Sequence, residues 1–139
     1  MARSEGEDVV PAIEWRGAFE SGEVEALHAE CFGPSKQSCD WWMRTNKHSL
    51  GWVCMRESDK LIGFANVSWD GGVHAFLLDV IVANAFQRRG LATLMVREVV
   101  IQSRAAGCEW LHVDFEPHLS GFYLESCDFA RTSAGIMAL

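Results

Sequence analysis

The chain predicts an α/β fold of the α+β kind: a single domain over residues 1–139, with a mixed central sheet of six to seven strands flanked by about four helices. Three observations lead there. Apolar runs at residues 50–56, 61–69 and 73–82 are separated only by Ser58-Asp59-Lys60 and Asp70-Gly71-Gly72, the pattern of an antiparallel meander. The third run passes through a polar turn into a stretch of helical periodicity, and residues 110–115 then return as a strand. Such a strand-helix-strand unit implies a parallel pair joined by a right-handed crossover. Finally, 139 residues with 49% apolar content support one sizeable core, and no linker, repeat or low-complexity segment divides them.

Residues 1–7 are polar and acidic and are expected to be flexible. Residues 9–19 read as a first strand region, with Pro11 marking an edge or an entry point. Ser21 suits a helix cap for residues 22–31, where Val24, Leu27, His28 and Cys31 recur at helical spacing, and Gly33-Pro34 ends that helix. A second short helix is predicted over 35–44, since Pro34 suits a first helical turn and Trp41, Trp42 and Met43 supply an apolar patch. Arg44, Lys47 and His48 are read as solvent-facing. The near-continuous apolar run 75–82 predicts a strand buried on both faces. After the turn, Leu91, Leu94, Met95, Val99 and Ile101 stripe a helix whose other side carries Arg97, Gln102 and Arg104, ending at Ala105-Ala106-Gly107. A last helix is expected over 117–126. Residues 129–139 are expected to return as a final strand or hairpin bent at Ser133-Ala134-Gly135.

Net charge is −7, which argues against nucleic acid or an anionic membrane as partner and favours a cationic or amine-bearing one, although such a surplus also simply keeps proteins soluble. No apolar run approaches the roughly 20 residues that span a bilayer, and the polar start lacks the regions of a signal peptide, so a cytoplasmic protein is expected. Cys31, Cys39, Cys54, Cys108 and Cys127 are odd in number, widely spaced and without a CxxC pair, so they read as reduced packing thiols rather than disulfides or zinc ligands. A lone histidine is poor evidence for a metal, and none is expected.

The turn after the third meander strand is the chemically informative segment. A helix start carries unpaired N–H donors and partial positive charge, and is normally met by an acid or a capping hydroxyl. Here the approach is Gln87, Arg88 and Arg89, followed by Gly90, with no acid in the first turn. An external anion such as phosphate resolves that repulsion, and two solvated arginines at a surface turn are the plainer alternative.

Gln87-Arg88-Arg89-Gly90-Leu91-Ala92 resembles the Gln/Arg-x-x-Gly-x-Gly/Ala signature of the GNAT family of N-acetyltransferases. The segment Phe122-Tyr123-Leu124-Glu125-Ser126-Cys127-Asp128-Phe129 is similar to that family's Phe-Tyr-x-x-x-Cys-Gly-Phe ending, and the order of elements agrees from about residue 8 onward. The resemblance implies that the amides of the turn, from Gln87 through Gly90 to Leu91, Ala92 and Thr93, bind the pyrophosphate of coenzyme A. It implies that the strand ending near Val82 and the strand 110–115 splay apart, with the pantetheine arm in the gap against the main chain of Val80, Ile81 and Val82. Those groups would polarise a thioester carbonyl as charge develops on it. Tyr123 is implied as the general acid for the departing thiolate, with acetyl-CoA as cosubstrate and the amine of a small molecule or peptide as direct nucleophile. Two residues depart from the pattern: Glu116 stands where many members carry an Asn that bonds the coenzyme, and Asp128 replaces Gly before Phe129, a change that left-handed backbone at Asp tolerates.

The remaining candidates leave alternatives open. Asp79, inside an apolar strand, is either a base with a raised pKa or a carboxylate paired to a neighbouring Arg, His or backbone donor. His112, Asp114 and Glu116 alternate along one strand face and either line an acceptor pocket or face solvent. Trp41 and Trp42 either form an aromatic wall for a cation or flat substrate, or belong to the core or a subunit interface. A homodimer through final-strand exchange or edge pairing is a further expectation. Besides an enzyme, a regulatory module of the same fold that binds acyl-CoA without turnover, and an assembly domain with a tryptophan-rich surface, remain as alternative functions.

Overall fold

The computed structural model describes residues 10–35 and 38–139, so the expectation for residues 1–7, the start of the first predicted strand and residues 36–37 of the second predicted helix lie outside the described residues. A five-stranded sheet runs in chain order: β1 (Ala12–Trp15), β2 (Ser49–Glu57), β3 (Lys60–Trp69), β4 (His74–Val82) and β5 (Trp110–Val113). Strands β1 to β4 pair antiparallel and β5 joins β4 in parallel. Helices α1 (Ser21–Phe32), α2 (Trp41–His48) and α3 (Leu91–Ala105) and a short π-helix (Gly121–Ser126) surround it.

The helices sandwich the sheet. Phe64 meets the rings of Phe19 and Trp41, while Gly63 beside it faces Met95 of α3, and neighbouring strand residues point to opposite faces. Most of the stripe read in the sequence faces the core: Leu91, Met95 and Val99 recur every four residues on α3 and are buried and Leu94 is half-buried, but Ile101 is exposed and Val96 is buried instead. Strand β3 is covered on both sides, with Ile62, Phe64, Ala65 and Val67 fully buried.

Five expectations are corrected. Helix α2 starts at Trp41, not at residue 35, because Asp40 Oδ1 accepts from the Met43 N–H at 3.0 Å and from Ser21 Oγ at 3.0 Å, while the Trp42 N–H donates to Ser21 Oγ at 3.1 Å. Ser21, expected to cap α1, thus helps to cap α2, and Glu20 occupies the N-cap of α1. Strand β4 is buried on both faces only at its end, where Ile81 and Val82 are enclosed; earlier Ala75 and Leu77 are enclosed but Phe76 and Leu78 are 41% and 44% exposed, since α1 meets β4 near its end, where Cys31 reaches Val82. The last predicted helix is a 3₁₀ turn (Pro117–Leu119) followed by the π-helix, in which the Cys127 N–H donates to the Phe122 carbonyl at 3.0 Å. Residues 129–139 form no strand, so the sheet has five strands rather than six or seven. That stretch contains Thr132-Ser133-Ala134-Gly135, which has little strand propensity, and Ile136 and Met137 beyond it are exposed.

Candidate active site

Strand β4 ends with its last amide tied inward, the Ala83 N–H donating to the Ile62 carbonyl at 2.8 Å. A 3₁₀ turn (Asn84–Phe86) follows, and the chain then takes left-handed backbone at Arg88 (φ 64°) and at Gly90 (φ 76°), which is the N-cap of α3. The first backbone bond of α3 is from the Leu94 N–H to the Gly90 carbonyl, at 3.2 Å. The amides of Leu91, Ala92 and Thr93 therefore open the helix without intrahelical partners, and no acid stands in its first turn. A cavity of about 180 Å³ lies against these residues, bounded also by Val82, Phe86, Gln87, Arg88 and Phe122.

The side chains of the turn divide their work. Gln87 folds back, donating to the Val82 carbonyl at 3.0 Å and to Asn84 Oδ1 at 3.1 Å, so it braces the turn. Arg89 lies over the Phe86 ring, 5.3 Å from its centroid, with a long bond to the Ala85 carbonyl at 3.4 Å. Arg88 is exposed and makes no side-chain bond among the described residues. Glu30 of α1 anchors the other end by accepting the Asn84 N–H at 2.8 Å, a contact that no local sequence pattern signals.

Next to this turn one side of β4 is unpaired: the β4–β5 ladder covers His74 to Leu77 against Trp110 to Val113, the whole of β5, and β4 runs on to Val82 without a ladder partner on that side. On the β3 side, the register passes from Asn66 opposite Leu78 to Phe64 opposite Ile81, so Ala65 faces the two residues Asp79 and Val80. This is a β-bulge, with Asp79 at φ 53°. Because the Ala83 N–H points to β3, alternation turns the Val82 N–H and carbonyl toward the open side, where the carbonyl accepts from Cys31 Sγ at 3.3 Å as well as from Gln87.

Asp79 is half-buried at this bulge. Burial pushes its carboxyl pKa above the usual value, opposed by the nearby charges of Arg44 and His28 and by a side-chain hydrogen bond with Asn66. Arg44 Nη2 stands 4.0 Å from Asp79 Oδ2, and the guanidinium lies 4.1 Å from the centroid of the Trp41 ring. Arg44 faces solvent, as expected, and also stands beside the bulge acid. Trp41 is a core residue, 5% exposed, between His28 and Phe64, with Nε1 donating to Glu25 Oε2 at 3.0 Å. Trp42 turns elsewhere, edge-on to Phe19 and Trp52, where it borders an open cavity of about 660 Å³ with Asp40 and Arg56. The two tryptophans do not share one wall.

Tyr123 sits on the π-helix, stacked on Phe115 at 5.0 Å and edge-on to Phe122 at 4.7 Å. Burial raises its hydroxyl pKa to about 12, so the phenol stays protonated throughout the neutral range. Its hydroxyl makes no hydrogen bond among the described residues, and its neighbour Phe122 lines the cavity at the α3 turn. His112, Asp114 and Glu116 are all exposed. His112 lies beside Phe76, six residues and roughly 20 Å of strand before Val82, and so stands apart from the turn. Asp114 and Glu116 follow the end of β5, and Glu116 does not border the cavity at the turn. The five cysteines are free thiols, and among the described residues no group of three or more His, Cys, Asp or Glu is placed to hold a metal ion. No helix among them is long and apolar enough to cross a membrane.

Residues 19–129 match the profile described as the Acetyltransferase (GNAT) family, and the chain belongs to that family. It is 32% identical over 82 residues, 59% of its length, to the uncharacterized N-acetyltransferase ycf52 of Pyropia yezoensis, and the matched region spans only 47% of that relative. The fold is similar to that of a probable acetyltransferase of unknown function from methicillin-resistant Staphylococcus aureus, with a TM-score of 0.76 and 17% identity over 92% of this chain and 98% of that one. It is also similar to that of AAC(6')-Iy, solved in complex with a bisubstrate analogue, CoA-S-monomethyl-acetylneamine: TM-score 0.72 and 18% identity over 92% of this chain and 97% of that one.

Proposed function

We propose that the protein is an acetyl-CoA-dependent N-acetyltransferase that moves an acetyl group to a primary amine by direct attack. The observation that carries this reading is the acid-free α3 start, flanked by two arginines, at the end of the β4 edge that β5 leaves unpaired. The residues present fit the coenzyme. The amides of Leu91, Ala92 and Thr93, with Arg88 and Arg89, suit a pyrophosphate, and Val80, Ile81 and Val82 offer strand edge to a pantetheine amide. The Val82 N–H is the main-chain donor on the open side.

In this reading the acceptor nitrogen bonds to the thioester carbonyl carbon, the carbon–sulfur bond breaks, and Tyr123 supplies a proton to the sulfur that leaves. A phenol with a pKa near 12 is protonated when required and a weak acid otherwise, so its contribution depends on being held close to the sulfur. Asp79, with its raised pKa, takes the proton lost by the ammonium as the new amide forms. The negative surplus of the chain favours a cationic acceptor, a small amine or a peptide amine, in the cytoplasm where the thiols stay reduced.

A second reading, a module that binds acyl-CoA without turnover, is favoured by the Arg44 pairing of Asp79, which keeps that carboxylate engaged. Calorimetric titration with acetyl-CoA followed by a thiol-release assay across a panel of amines separates the two. Binding with amine-dependent thiol release supports the transferase, binding without release on any amine supports the module, and absence of binding overturns both.

A further inference from the structure

At the β4 bulge, Asp79 and Arg44 present opposite charges side by side without a hydrogen bond between them. Their nearest atoms, Asp79 Oδ2 and Arg44 Nη2, are 4.0 Å apart, whereas a charge-assisted bond closes to about 2.8 Å. The two side chains are 24% and 46% exposed, so both reach solvent. The Arg44 side chain makes no hydrogen bond among the described residues, which leaves its planar fork of donors for another group.

Each charge is nonetheless held in place. The guanidinium lies over the Trp41 ring, 4.1 Å from its centroid, and that ring is fixed by its bond to Glu25 and by its edge contact with Phe64. Asp79 is set by the left-handed backbone of the bulge and by its bond with Asn66, which itself accepts from Ser49 Oγ at 2.5 Å. A carboxylate arriving alone is repelled by Asp79, and an ammonium arriving alone is repelled by Arg44. A molecule that carries both charges on adjacent carbons meets each with its opposite.

We infer that the acceptor in the proposed transfer is a free α-amino acid, with its ammonium on Asp79 and its carboxylate on Arg44. The choice rests on the transferase reading and narrows the small amine of that reading to one that also bears an acid. Ordinary bond lengths put the nitrogen of an α-amino acid about 3 Å from its carboxylate oxygens. That spacing, with a bond of about 2.8 Å at each end, fits across the 4.0 Å between Oδ2 and Nη2. Binding replaces one long contact by two short ones, and the ammonium is delivered to the group that takes its proton. Because Trp41 and Asn66 hold the two charges beforehand, little ordering is left for the ligand to impose. The net charge of −7 acts at long range and is screened within about 10 Å, so the contact pair decides which amine stays. A peptide N-terminus has no carboxylate on the neighbouring carbon and leaves Arg44 unmatched.

The test is calorimetric titration of the full chain, with and without coenzyme A, against the standard α-amino acids and their α-carboxamides, beside thiol release from acetyl-CoA on the same compounds. The carboxamides keep the ammonium, lose the carboxylate and stand in for a peptide N-terminus. At least one amino acid is expected to bind about tenfold or more tightly than its carboxamide. Arg44→Gln should abolish that preference, and Arg44→Lys should restore only part of it. Damage to the fold or to Asp79 would instead weaken acid and carboxamide alike. An Arg44-dependent preference without thiol release upholds the recognition and overturns the transferase. Thiol release on amines with no preference for the acid keeps the transferase and overturns the α-amino acid. Equal binding of acid and carboxamide, binding of neither, or a preference that survives Arg44→Gln also overturns it.

Discussion

Burial raises the pKa of both Tyr123 and Asp79, yet to different ends. Burial favours the neutral phenol of Tyr123, with no charged partner to oppose it, whereas for Asp79 the same effect is countered by Arg44 and His28. Tyr123→Phe keeps the packing against Phe115 and Phe122 and removes only the hydroxyl. It is expected to lower kcat by roughly 10²–10⁴-fold while leaving acetyl-CoA affinity unchanged, as steady-state kinetics beside calorimetry will show. For Asp79 the folded pKa lies above the unfolded 3.8, so the fold carries the cost of an ionised buried acid at neutral pH and is relieved of it as pH falls through the folded pKa. Asp79→Asn, which tolerates the same positive φ, is expected to raise the melting temperature at pH 7, with the gain shrinking toward pH 4. A lower melting temperature at pH 7 would show that the Arg44 pair outweighs desolvation. That Asp79 needs either a partner or a raised pKa is legible in sequence, because a carboxylate in an apolar strand is costly to ionise unpaired. Arg44 as that partner is not, since the pairing depends on a bulge that sets the acid toward α2.

The turn into α3 is the element whose local structure is most legible in the sequence. Its polar approach, its glycine and its acid-free first turn are local features, and the structure places Gly90 in the left-handed backbone that opens α3. Arg88→Ala combined with Arg89→Ala is expected to weaken acetyl-CoA binding by about 2 kcal/mol, roughly thirtyfold, with little change in turnover of the saturated enzyme. Unchanged affinity would return both arginines to the role of solvated surface residues. Elements governed by distant contacts were less legible. The start of α2 is decided by Ser21, nineteen residues earlier than its partner Asp40, and the 3.6-residue pattern at 117–126 does not reveal that the backbone there winds as a π-helix. The final strand failed for a related reason: strand formation needs a paired edge, and the sequence of residues 129–139 supplies little propensity of its own.

Across the whole molecule, burial of titratable groups makes alkaline stability the most informative variable. Cys54 and Tyr123 have folded pKa values near 12 against ordinary values of 9.0 and 10.0. Between those limits the unfolded chain releases protons that the folded chain keeps, so stability is intact below about pH 9 and falls as pH rises toward 12. Melting temperatures measured from pH 8 to 11 are expected to decline, and Tyr123→Phe should flatten the upper part of that decline. An identical slope would mean that other groups govern it.

The short ladder between β4 and β5 has a consequence for how the protein spends its time. Four residues joined to the sheet along one side leave Trp110–Val113, like β1 at the other edge, with little to lose by peeling away, and opening events cost least where few bonds and contacts must break together. Amide hydrogens there are expected to exchange faster with deuterated solvent than those of β2 or β3. A ligand lying in the cleft would bridge the two strands and slow that exchange, so protection of β5 on adding acetyl-CoA would report occupancy of the cleft without any acceptor being known.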